Sequence, residues 1–369
     1  MIFSKNDEVP LKKTVLIAPL DWGLGHAARC VPIIKELQKY PIRIVIAGDG
    51  TVESLLKQEF PQLEFVPLPG YKIKYSKNKR WFLLKLLIQF PGVLYSLLRE
   101  HRWLNKVKKE LHLSAVISDN RFWLFNRSIV SIYITHQLSV KTGNKLSDKI
   151  ATQIHSNISK NYTQRWIPDF GIKKNLAGEL SMTVKLRQSD RFLGCLSRFE
   201  KKPGSEITTD LLILISGPEP QRTIFESLLL DQLGDFEGSV LLLRGLPGQA
   251  ALPLTSTHNN KIIIKNHLPS AELNEAIEKS ALVISRSGYT TIMDMVKLGK
   301  KAILVPTPGQ TEQEYLANYL LQQKMFLTMP QEKFHLKTAM EQAAAFPFDM
   351  PELDMNQYKS VIKQFAESL

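Results

Sequence analysis

The stretch Ala281–Tyr319, ALVISRSGYTTIMDMVKLGKKAILVPTPGQTEQEYLANY, decides how the chain folds. Its spacing predicts a strand over Ala281–Ile284, a tight turn, a helix over Tyr289–Leu298, a strand over Lys301–Val305, a loop and a second helix. Short apolar runs alternating with helical patterns indicate a parallel β/α layer, where ligands bind beyond the carboxyl ends of strands. The turn Ser285-Arg286-Ser287-Gly288 brings hydroxyls, a guanidinium and a glycine backbone to a helix N-terminus, an arrangement suited to an anion. Ser287, Thr290, Thr291 and Asp294 share one face at i, i+3, i+4 and i+7, while Ile292, Met295, Val296 and Leu298 form the core-facing stripe. A diphosphate at the helix tip and a carboxylate about 10 Å along the axis, at about 1.5 Å per residue, suit a nucleotide whose ribose hydroxyls reach Asp294.

The pattern SRSGxxTxxD, a strand ending in Val305-Pro306, and the helix start QEYLAN together resemble the donor-binding half of family 28-type GT-B glycosyltransferases. That resemblance implies an α/β fold of two Rossmann-like domains facing across a cleft. It also implies inverting transfer of N-acetylglucosamine or a close analogue from a UDP-sugar. By the same resemblance Arg286, Ser287 and Gly288 surround the diphosphate, Thr290 lies on the donor-binding face, Asp294 holds the ribose, and Gln313 and Glu314 touch the donor sugar. The family's second Gln is Glu314 here, which leaves the sugar open. Thr311 and Glu314 equally fit a T-x-x-E capping box.

At 369 residues the chain suits two domains, expected as 1–198 for the acceptor, 199–345 for the donor, and a terminal helix in 346–369 that returns to the first domain by analogy with GT-B chains. Cys30 and Cys195 stand far apart in apolar settings and match no metal or redox spacing. The polar start MIFSKNDEVPLKK and the lack of any run of about 18 apolar residues lead to the expectation of a cytoplasmic protein, soluble or peripheral on a membrane. A formal charge of +13 calls for an anionic partner, among nucleotide, phosphate-bearing acceptor, membrane surface and nucleic acid. Nucleic acid has little support, because no recognition module accompanies the basic clusters.

In the N-terminal half the strand Thr14–Ala18 runs into PLDWGLGHAARC, where Gly23 and Gly25 permit a tight loop and His26 opens a helix. A dinucleotide fingerprint would want a third glycine at Ala28, so that reading survives only through Asp49 after the next strand. The loop resembles the Gly-Gly-His turn of the same family, which implies that His26 lies near the cleft as base or transition-state contact; helix capping is the other reading. Segment 72–109 couples a basic loop (Lys72, Lys74, Lys77, Lys79, Arg80) to an apolar helix with an expected break at Pro91-Gly92. It reads either as a helix lying in an anionic membrane interface or as a cover for the first sheet. Relatives in peptidoglycan synthesis use this region against lipid, which implies a lipid-linked or membrane-proximal acceptor. Asp119 and Asn120, and then His136 and Gln137, fall at the carboxyl ends of predicted strands. Asp119 is the rival base, and Asn120, His136 and Gln137 join Gly23 and Gly25 as acceptor-side candidates.

Past the break at Pro203-Gly204-Ser205, Gly217 lets a backbone approach a ligand, and Arg222 lies in the first turn of a helix over Gln221–Leu233. The resemblance places both at the donor diphosphate and places His267 and Leu268 at the base. No Asp-x-Asp occurs in the chain, so metal-independent chemistry is expected, with helix N-termini and arginines stabilising the leaving group. Two rivals remain: a UDP-N-acetylglucosamine 2-epimerase on the same fold, and a non-catalytic membrane-binding protein with an idle nucleotide site.

Overall fold

The computed structural model describes residues 13–21, 23–68, 70, 82–182, 186–246 and 261–369. The chain begins β1 (Lys13–Pro19), α1 (Leu24–Leu37), β2 (Ile42–Gly48), α2 (Gly50–Glu59), β3 (Glu64–Pro67) and α3 (Phe82–Glu110). It continues through β4 (Leu113–Asp119), β5 (Val130–Ile134), α4 (Lys145–Ser159), β6 (Gln164–Ile167) and β7 (Asp190–Phe192). These seven strands form one parallel sheet in the order β3-β2-β1-β4-β5-β6-β7. Its central strands read as unbroken apolar runs, Val15–Ala18 and Ala115–Ile117, because helices cover both faces.

The second lobe holds β8 (Thr209–Leu214), α5 (Gln221–Leu233), β9 (Val240–Leu243), β10 (Ile262–Lys265), α6 (Ser270–Glu278) and β11 (Ser280–Ser285). It ends with α7 (Tyr289–Leu298), β12 (Ala302–Leu304), α8 (Thr311–Gln322), β13 (Leu327–Thr328), α9 (Leu336–Ala345) and α10 (Gln357–Ser368). Its six strands are also parallel, in the order β10-β9-β8-β11-β12-β13. Two parallel-sheet α/β lobes of this kind are the GT-B architecture. The strand order reverses between β1 and β4 and again between β8 and β11, and such switch points are where open α/β sheets take ligands.

The chain crosses between lobes at 193–208 and again before α10, which lies on the first lobe. Phe365 meets Trp166 edge-on at 5.3 Å, with Tyr358 and Ile362 buried beside it. The expected break at Pro91-Gly92 does not occur, for α3 runs unbroken from Phe82 to Glu110. The proline forfeits a single ladder bond, and a helix whose later turns bury Leu104 and Val107 against the sheet carries that loss. Lys72, Lys74, Lys77, Lys79 and Arg80 lie outside the described residues. Among the described residues no helix is long and apolar enough to cross a membrane.

Candidate active site

At the first switch point the loop after β1 and the end of β4 bring together a buried polar cluster. Asp119 has no exposed surface and accepts from Arg29 Nε at 2.6 Å and from Arg29 Nη2, with His26 Nδ1 3.3 Å from its Oδ1. Arg29 stands one helical turn beyond His26, so its Nη2 also reaches His26 Nδ1 at 2.8 Å. Burial raises the Asp119 pKa, but Arg29 and His26 outweigh it and hold the carboxyl at about 2. Burial, reinforced by Arg29, lowers the His26 pKa despite the opposing pull of Asp119. A solvent-free, doubly bonded carboxylate of this kind is a poor proton acceptor, and it lies behind His26 as seen from the surface. Of the two, His26 alone reaches the surface, its side chain 17% exposed.

This cluster continues across the lobes. Arg29 Nη1 lies 3.5 Å from His136 Nδ1, and His136 Nε2 lies 2.8 Å from Glu312 Oε1 in the first turn of α8. Gln137 donates through Nε2 to the other oxygen of Glu312. Burial would raise the Glu312 pKa, but His136 and Arg29 bring it below its ordinary value. Thr290 donates to the Gly25 carbonyl at 3.2 Å, and a Cβ at position 25 would lie 2.9 Å from the Thr290 hydroxyl, so glycine is what allows this approach. The N-termini of α1 and α7, capped by Gly23 and Gly288 without any side-chain cap bond, therefore converge on one place. Asn120 adopts a positive φ of 58° and accepts from the Tyr133 hydroxyl, which ties it to the first lobe's interior.

Several donor-side candidates are placed otherwise than the sequence suggests. The Arg286 guanidinium turns inward, donating to Gln331 Oε1 at 2.7 Å and to the Gln221 carbonyl at 2.9 Å, over the Phe225 ring at 4.1 Å. Ser287 donates to the Gln313 carbonyl, so both side chains are committed to protein partners and the backbone N–H groups at the α7 tip have no side-chain cap. Arg222 is bonded to Glu219 at 2.5 Å and Glu226 at 2.8 Å, so its charge is already neutralised. Glu314 takes the Gly309 N–H while Thr311 donates to Lys141 of the first lobe, so the capping box does not form; Gln310 is the N-cap and makes no side-chain cap bond. Gln313 accepts from the Thr307 N–H at 2.9 Å. Asp294 accepts from Ser197 of the crossover at 2.5 Å, and burial lifts its pKa to about 7. His267 stands close enough to Arg198 to feel its charge, as does Asp294, so the proposed base and ribose contacts share a neighbourhood; Leu268 is buried beside them.

Sequence reading missed Arg29, Glu312, Ser197 and Arg198. The i+3 spacing from His26 could have flagged Arg29, whereas the others act only through the meeting of the lobes. Thr307 was missed as well. Its buried hydroxyl has no hydrogen-bond partner among the described residues, and a Cβ at Gly217, where φ is +107°, would lie 3.7 Å from it.

Residues 242–366 match the glycosyltransferase family 28 C-terminal domain. The chain is 26% identical over 189 residues to a UDP-N-acetylglucosamine--N-acetylmuramyl-(pentapeptide) pyrophosphoryl-undecaprenol N-acetylglucosamine transferase of Buchnera aphidicola subsp. Schizaphis graminum (strain Sg). That match takes in 50% of this chain and 48% of the relative, so the chain spans about half the length of the curated relative it matches. Among solved structures, the glycosyltransferase SnogD from Streptomyces nogalater superposes with a TM-score of 0.63 at 10% identity, covering 97% of this chain and 99% of that one. The glycotransferase of kitacinnamycin gives 0.62 at 14% identity, over 97% and 96%. The spinosyn rhamnosyltransferase SpnG gives 0.61 at 13%, over 96% and 95%. These likenesses extend the GT-B fold to the whole chain, with a glycosyltransferase domain as its second lobe.

Proposed function

We propose that this chain, a glycosyltransferase by its C-terminal domain and by its fold, moves N-acetylglucosamine or a close analogue from a UDP-sugar to a hydroxyl of a lipid-linked or membrane-proximal acceptor. The observation that carries this reading is the meeting of Gly25, the residue before His26, with Thr290 at the uncapped tip of α7 across the lobes. His26, backed by Asp119, takes the acceptor hydroxyl proton, the oxygen attacks the anomeric carbon, and the bond to the diphosphate oxygen breaks. The electron pair leaves with the nucleoside diphosphate, whose charge the α7 amides stabilise without a metal. Attack from the face opposite the leaving group inverts the centre.

The membrane-proximal part of the reading has its own support. Helix α4 presents Leu146, Ile150 and Ile154, 69%, 54% and 56% exposed, along one stripe at i, i+4 and i+8. Lys145 and Lys149 flank that stripe, and Tyr95 and Leu98 are exposed on α3 beside Arg99 and Arg102. The test is UDP release by purified protein with EDTA present, using acceptor lipid in vesicles. Release under EDTA supports the proposal, activity wholly dependent on added divalent ion sinks the metal-free mechanism, and epimer formation without acceptor identifies an epimerase instead.

A further inference from the structure

Two groups compete for one nitrogen of His26. Nδ1 lies 2.8 Å from Arg29 Nη2 and 3.3 Å from Asp119 Oδ1. A guanidinium only donates, so the shorter contact requires Nδ1 to carry a lone pair, which puts the ring proton on Nε2. A carboxylate only accepts, so the longer contact requires Nδ1–H and leaves Nε2 as the lone-pair nitrogen. Only the second tautomer can accept a proton from a substrate at Nε2. Arg29 is held where it can enforce the first, because Asp119 accepts from both Nε and Nη2 and the side chain is buried.

We infer that Arg29 is a positioning residue that sets the tautomer and charge state of His26, holding it in the unliganded enzyme as a neutral ring with its proton on Nε2. The base-competent form arises when the Nη2–H leaves Nδ1 and the ring proton moves to Nδ1, where Asp119 accepts it. The inference rests on His26 as base for its catalytic meaning, but not for its physical content. The charged and titratable groups around His26 are Arg29 and Cys30 on α1, Asp119 at the end of β4, His136 after β5 and Glu312 at the start of α8. Burial lowers the ring's pKa most, Arg29 lowers it further, and Asp119 opposes both. With Arg29 neutralised, Asp119 is left as the dominant charge against Nδ1.

Ring-nitrogen NMR of 15N-labelled protein, with His26 assigned through His26→Gln, reads tautomer and titration directly and requires no turnover. In the native protein His26 is expected neutral at pH 7, protonated on Nε2. In Arg29→Gln the proton moves to Nδ1 and the titration midpoint rises by about one unit or more, the acid limb of the pH–rate profile moving with it. Arg29→Lys, which keeps the charge, restores the low midpoint. Should Arg29→Gln fail to fold with Asp119 unpaired, Arg29→Gln/Asp119→Asn removes both charges: the Nε2–H preference is lost, while burial keeps the midpoint below the ordinary histidine value. An Nδ1–H tautomer in the native protein, or a midpoint that ignores Arg29→Gln, overturns the inference. Absence of sugar transfer alongside the expected NMR changes would instead count against the transferase reading alone.

Discussion

The His136 ring lies parallel to the Tyr289 ring, their centroids 4.0 Å apart and their planes 12° from coincidence. One residue follows β5 in the first lobe and the other begins α7 in the second. Tyr289 also donates to the Pro168 carbonyl at 2.7 Å, and Glu312 fastens the far side of the same imidazole. The lobes are therefore joined beside His26 and Asp119 by a stack and a hydrogen bond on a single histidine. His136→Ala removes both at once, and solution X-ray scattering is expected to show a larger radius of gyration than the native protein. An unchanged profile would mean that other contacts hold the lobes together.

Removing the imidazole of His26 tests its chemistry. His26→Ala is expected to lower turnover by about 10²–10⁴-fold while the circular dichroism spectrum stays native, since the side chain is partly exposed and its hydrogen bonds among the described residues are to Arg29 and Asp119. Turnover within a few-fold of native would remove His26 from the mechanism.

Much of this site was legible from residue spacing, and the division follows the physics. Helix α7 falls where its periodicity puts it, Tyr289–Leu298, because Gly288 and Gly299 bracket a strong amphipathic pattern. Histidine 26 and Asp119 were visible because strand ends are where α/β sheets keep polar residues. The inward turn of Arg286 was not visible, since a guanidinium after a strand reads the same whether it meets phosphate or Gln331. Glu312 was invisible for a different reason: its partners, His136 and Gln137, are 176 and 175 residues away and belong to the other lobe. Local pattern carries no record of such a meeting.

Asp119→Asn should uncouple two effects. The folded carboxyl titrates at about 2 against an ordinary value of 3.8, so it stabilises the fold above pH 4 and loses that contribution as pH falls towards 2. Leaving Arg29 buried without its partner costs about 3–5 kcal/mol near neutrality. Urea titrations at a series of pH values should show the variant less stable at pH 7 and converging on the native protein below pH 3. Parallel curves would contradict the assignment.

Asp294 carries the opposite sign. Its folded value near 7 lies above 3.8, so the native state binds the extra proton between these limits and stability falls as pH rises through them. Asp294→Asn is expected to flatten that slope and to raise the donor KM at least several-fold. If the slope survives the substitution, another group is responsible for it.

Ile150→Glu places a charge in the middle of the exposed α4 stripe. Cosedimentation with vesicles rich in anionic lipid should weaken by about tenfold relative to native protein, with turnover on a soluble acceptor analogue unchanged. Equal sedimentation of the two proteins would move any lipid contact elsewhere.

The return of α10 to Trp166 has a mechanical consequence. Because the polypeptide passes from lobe to lobe twice, the halves are tethered at two points, which favours rotation about the line joining them over separation, as with a door hung on a pair of pins. Nicking either passage would leave the halves attached through the other, whereas deleting residues 346–369 would strip Phe365 from the first lobe and loosen the axis together with the interior it anchors.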